Sequence, residues 1–137
     1  MKANEIRIGN LFTISGFPMY IEAIFKDTVY LNFEGNEGDV WEENTKDLEP
    51  IPLTEEILIK AGATKIEDDH VYLMLQDAAT HLILMKSGEH WYPSIEQEPE
   101  FSNFDSNIVA LNRIESVHQL QNLCFALTGE EIKIDLE

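Results

Sequence analysis

A single cysteine, Cys124, is all that the 137-residue chain offers to covalent cross-linking. It cannot form an internal disulfide, so packing and hydrogen bonds hold the fold. Basic side chains are scarce as well: 9 Lys and Arg stand against 26 Asp and Glu, a net charge of −17. A protein that grips nucleic acid through its phosphates needs the opposite sign, and an anionic membrane surface repels this chain for the same reason. Long apolar runs are missing too. The longest, such as Val71 to Leu75 and Leu82 to Met85, are strand-sized, whereas crossing a bilayer takes roughly 20 residues. Met1 to Phe12 mixes Lys2, Glu5 and Arg7 with isolated apolar residues and lacks the unbroken apolar core of a secretory signal. No internal repeat or low-complexity tract is visible. These absences lead to the expectation of a cytoplasmic protein that touches neither nucleic acid nor membrane directly.

What is present is a chain that is 44% hydrophobic and 26% charged, the profile of one compact domain or two very small ones. From Ile8 to Pro52, short β-type runs alternate with turn residues. The runs are Leu11 to Ile14, Met19 to Phe25, Thr28 to Phe33 and Asp39 to Glu43, separated by Ser15-Gly16 with Pro18, by Lys26-Asp27 and by Gly35 to Gly38. Val29, Leu31 and Phe33 alternate with Tyr30 and Asn32, the period-two pattern of a strand with one buried face. Such strands in so short a stretch predict a small β-barrel-like, SH3-like module over 1–52, because curling removes edges that a lone meander exposes.

Pro50 and Pro52 interrupt the strand pattern, and Thr54 opens a short hinge helix over about 55–61. Thr54 suits the N-cap, Glu55 and Glu56 complement the helix dipole, Leu53 and Leu58 are placed as a staple, and Gly62 ends the helix. Val71 to Leu75, His81 to Met85, Trp91 to Ile95 and Ile108 to Leu111 are the strands of a second sheet. The polar run Glu96 to Asn107 reads as a surface loop. Ser116 with Gln119 makes a capping box, and Val117, Leu120, Cys124 and Leu127 recur at helical spacing, predicting a C-terminal helix over about 117–128. Ile132 to Leu136 alternates as a final strand. The expected fold class is therefore α+β: an N-terminal SH3-like module over 1–52, then an antiparallel sheet packed against a C-terminal helix over 53–137, compatible with packing as a single domain.

The sequence carries no recognisable catalytic or metal-binding pattern. His70, His81, His90 and His118 form no pair at i, i+4, and Asp68-Asp69-His70 reads as a solvated turn. A calcium loop read from Asn32 aligns Glu34, Asn36 and Glu43 but places Glu37 where glycine is required. Cys124 sits on the apolar stripe of its helix, with His118 six residues away and about 120° around the axis. There is no glycine-rich phosphate loop and no serine elbow. No cofactor, metal or catalytic residue is expected.

Two stretches remain as interaction surfaces. The first is the acidic segment with Glu34, Glu37, Asp39, Trp41, Glu42 and Glu43, suited to a basic protein partner or to imitating the phosphates of DNA. Its plain counterpart is a solubilising surface. The second is the last helix, free of Asp, Glu, Lys and Arg from Ser116 to Gly129. There His118, Gln119 and Asn122 form a polar side able to hydrogen-bond across an interface, with self-association one outcome and simple core placement the other.

Three segments carry a resemblance: Met1 to Asn10 with Arg7-Ile8-Gly9-Asn10, Glu49 to Glu56, and Val117 to Glu131. Through them the chain resembles a family of small uncharacterised proteins of bacterial genomes, phages and mobile elements. The resemblance implies a cytoplasmic, mobile-element origin and carries over no activity and no site residue. The leading functional expectation is a non-enzymatic interaction or accessory protein. The alternatives are a DNA-mimic inhibitor of a nucleic-acid-binding protein and, on abundant carboxylates alone, an acid-dependent hydrolase.

Overall fold

The computed structural model describes residues 1–33, 40–67, 70–74, 80–97 and 107–136. The fold is α+β, with two five-stranded antiparallel sheets and a C-terminal helix. The chain divides into two compact units, Met1–Pro52 with Ser116–Leu123, and Leu53–Glu115 with Cys124–Glu137.

In the first unit, β1 (Leu11–Ile14), β2 (Phe17–Ile24), β3 (Thr28–Asn32) and β4 (Val40–Asn44) form a meander. The short β5 (Glu49–Pro50) returns to pair with β1, so the order is β4-β3-β2-β1-β5. The sheet curls into a half-barrel with β4 at one edge. Ile14 pairs with Phe17 across the two-residue connection Ser15-Gly16. Both connecting residues have positive φ, 52° and 84°, the pattern of a type I′ hairpin turn. Pro18 lies inside β2 rather than in the turn expected from its sequence neighbours. It is tolerated there because pairing with β3 begins only at Tyr20, leaving that end of β2 an edge. Pro50 likewise joins the edge strand β5 instead of breaking the pattern.

The inner face follows from register. Phe12 pairs with Met19, Ile21 with Leu31, Leu31 with Trp41, and Val29 with Glu43. Phe12, Ile21, Val29 and Leu31 are fully buried and cluster with Ile6 and Leu48. Ile51, and Val117 and Leu120 at the start of the C-terminal helix, are also buried in this unit; the Val117 N–H donates to the Ile51 carbonyl at 2.8 Å.

In the second unit the short helix α1 (Glu55–Lys60) precedes the sheet, and the C-terminal helix of the chain is α2 (Val117–Thr128). Thr54 caps α1, its hydroxyl accepting from the Ile57 N–H at 3.2 Å, and Leu58 is fully buried. A helix this short is held by docking, and α1 lies against the sheet at β7 (His70–Met74). The sheet is the simple meander β6 (Thr64–Glu67), β7, β8 (Thr80–Ser87), β9 (His90–Gln97) and β10 (Asn107–Ala110). Its core holds Val71, Leu82, Leu84 and Trp91, and the Trp91 indole donates to the Leu53 carbonyl at 2.9 Å.

Four sequence expectations change. β6 was not anticipated, because Thr64-Lys65-Ile66-Glu67 is mostly polar and its first three residues are exposed; among the described residues it is an edge strand paired with β7 alone. Ile132 to Leu136 alternates in exposure, yet among the described residues it joins no ladder: alternation alone does not make a strand, which also needs an edge to pair with. The α2 stripe is buried at Val117, Leu120 and Cys124, but Leu127 and Phe125 are each 38% exposed. Finally, His118 and Gln121 are buried, so the polar side of α2 faces inward in its first half. The loop read from Glu96 to Asn107 falls largely on 98–106, outside the described residues.

Candidate functional site

The curled sheet of the first unit does not seal its own inner face. Because side chains alternate along a strand, Ile14 lies on the same face as Phe12, and Phe17 and Met19 on that of Ile21. Phe33 follows two residues after Leu31, and Trp41 is opposite Leu31. Toward the middle of the sheet this face is fully buried. Toward the Ser15-Gly16 turn and the Trp41 end of β4 it opens into a groove of about 400 Å³ lined, among the described residues, by Ile14, Ser15, Phe17, Met19, Phe33 and Trp41. None of the six is charged. Phe17 is 63% and Trp41 53% exposed, so two large rings stand at the mouth.

Trp41 is oriented by its own strand. Its indole N–H donates to Glu43 Oε2 at 3.2 Å, and Glu43 shares its face, two residues on. Glu42 is on the opposite face, paired with Tyr30. Beyond β4, Asp47 and Lys46 lie in a 3-10 turn, Thr45–Asp47. Of the acidic segment singled out in the sequence, Trp41, Glu42 and Glu43 are thus placed, with Trp41 in the groove and the two glutamates on either face of the edge strand. Glu34, Glu37 and Asp39 lie outside the described residues. Sequence reasoning missed Ile14, Phe17, Met19 and Phe33. The available signal was Phe17 just after a tight turn, where an apolar ring at a hairpin end is conspicuous.

The helix residues belong elsewhere. His118 stacks against Phe12, ring centroids 4.7 Å apart, and its Nδ1 lies 3.1 Å from the Ser116 hydroxyl. Burial pushes its pKa down to about 4, with the Glu5 carboxylate working weakly in the other direction. Gln119 serves the cap: its Oε1 accepts from the Ser116 N–H at 3.2 Å and from the Ser116 hydroxyl at 3.0 Å. Asn122 Oδ1 accepts from Arg7 Nη1 at 3.0 Å and from Asn10 Nδ2 at 2.8 Å, and its Nδ2 donates to the Glu5 carbonyl at 3.2 Å. Gln121, which sequence reasoning passed over, accepts from the Leu11 N–H at 2.9 Å and donates to the Gly9 carbonyl at 3.2 Å. These amides satisfy an irregular backbone that no ladder serves. They tie Arg7, Gly9, Asn10 and Leu11 to α2.

Cys124 is buried, and burial, with Glu131 adding to it, raises its thiol to about 12. At neutral pH it is a small apolar side chain rather than a nucleophile. Among the described residues no group of three or more His, Cys, Asp and Glu is placed to hold a metal ion, and no helix is long and apolar enough to cross a membrane. In comparisons with known proteins, the chain matches no family model, no curated protein and no solved structure.

Proposed function

We propose that this is a non-enzymatic interaction protein that seats an apolar part of a partner protein in the groove of its half-barrel. One observation carries the reading: the core face of the first sheet continues without a break from the buried Phe12, Ile21 and Leu31 to the open Ile14, Phe17, Met19, Phe33 and Trp41. Apolar surface in a concave site, rimmed by polar residues, marks binding. Trp41 at its mouth is the residue type that most often anchors an interface. Among the described residues, the groove lining is apolar apart from the Ser15 hydroxyl, which suits contact with an apolar side chain. Such a role suits an accessory protein of the mobile-element origin that the resemblance implies.

Affinity capture from extract of the cells that encode the chain, with the unaltered protein and Phe17→Ser side by side, tests the reading. A partner retained on the unaltered protein should fall by about tenfold or more on the variant, the loss typical of an interface anchor. Capture indifferent to Phe17, or reproducible turnover of a small molecule by the purified chain, overturns it.

A further inference from the structure

Resting on that reading of the groove, we propose that its occupant is an extended, cationic segment that adds to β4 as a sixth strand, placing an apolar side chain in the groove beside consecutive Lys or Arg residues.

Three observations converge. Among the described residues β4 (Val40–Asn44) is the last strand of its sheet and pairs with β3 alone, so its outer edge offers the backbone groups that strand addition uses. The groove opens at this same strand, through Trp41. Finally, the charge next to Trp41 has one sign. Glu42 and Glu43 follow it along β4, 42 on the outer face and 43 on the inner, within a chain of net charge −17.

Register turns these into a pattern. An added strand lies about 4.8 Å from β4, with alternate side chains on alternate faces. The residue opposite Trp41 is on the inner face and reaches the groove with a bulky aliphatic or aromatic side chain. The residue opposite Glu42 is on the outer face and the one opposite Glu43 on the inner. Both meet a carboxylate, and cross-strand pairs of opposite charge are favourable. The recognised sequence is therefore one apolar residue followed, or in the other strand direction preceded, by two basic ones. A second copy of this chain fits poorly, because antiparallel β4 strands centred on Glu42 or Glu43 set acid against acid, which is unfavourable.

Selection of a displayed library of random peptides, about twelve residues long, on the full-length protein at low salt tests this. Enriched peptides are expected to carry the apolar residue beside two basic ones. The best of them, made synthetically, should bind about tenfold more weakly to Phe17→Ser and Trp41→Ala. It should lose about two- to fivefold affinity to each of Glu42→Gln and Glu43→Gln, and weaken as salt is raised. Phe17 is largely exposed, so its variant keeps the test decisive if Trp41→Ala fails to fold. Neutral or acidic peptides that still depend on Phe17 overturn the cationic partner and leave the groove reading standing. Enriched peptides indifferent to Phe17, or no enrichment at all, overturn both. A concentration-dependent dimer in sedimentation that Phe17→Ser dissolves assigns the groove to a second copy and overturns the cationic segment.

Discussion

His118 shows how one buried residue ties the first unit to pH. Its ring is 4% exposed against Phe12, and its pKa falls from 6.5 to about 4 because burial penalises the charged form. The unfolded chain takes up this proton near pH 6.5 and the native chain holds off until about 4. Across that window the unfolded state binds more protons, so stability falls as pH falls. The contribution is constant above about 6.5 and its loss is complete below about 4, in total about 3 kcal/mol. Urea unfolding of the unaltered protein and of His118→Gln, followed from neutral pH to about pH 4, measures it. The unaltered protein should lose stability relative to the variant over that range. Parallel acid profiles would show that the imidazole is not held neutral by the fold.

At the scale of elements, the β1–β2 hairpin shapes the groove mouth and has the most exacting backbone. Gly16 sits at φ 84°, and a Cβ added there meets nothing within 4 Å. Gly16→Ala therefore carries only the cost of holding an L-residue in the left-handed region, about 1 kcal/mol. Ser15, at φ 52°, already bears some of that cost, and Ser15→Asn should recover part of it because Asn tolerates this region better. Denaturant midpoints at unchanged m-value are the measurement. A loss well above this size at Gly16 would mean that the turn repacks instead of straining in place. Much at this scale was legible in the sequence. Strands β1, β3, β8 and β9, the Thr54 cap and both helix ranges follow from local periodicity and capping chemistry, signals carried within a few residues. β5 and β6 were not legible, since a two-residue strand and a polar edge strand exist only through their partners.

For the whole molecule the dominant quantity is the charge of −17. Like charges repel one another in the compact state, and mobile ions screen that repulsion. Raising sodium chloride from about 20 mM to about 500 mM should therefore raise the thermal midpoint, by about 3 °C or more. A midpoint that stays level or falls with salt would show that attractive pairs, such as Lys65 with Glu55 at 3.3 Å and Lys60 with Glu56 at 3.6 Å, outweigh the repulsion. The same screening weakens a cationic ligand, so salt should move stability and peptide affinity in opposite directions.

The sequence by itself determined the α+β class, the lack of an internal disulfide, the net negative charge and the positions of the helices, because composition and short-range periodicity are local properties. It also drew attention to Trp41, through its acidic neighbours along the chain. Only the tertiary structure decided that Trp41 shares a groove with Ile14, Phe17, Met19 and Phe33, residues up to 27 positions away in the chain. It likewise decided that the uncharged amides of α2 turn inward to hold Gly9, Asn10 and Leu11. Both depend on strand register and on which polar groups the backbone leaves unpaired. Those are settled between distant segments, where sequence periodicity carries no information.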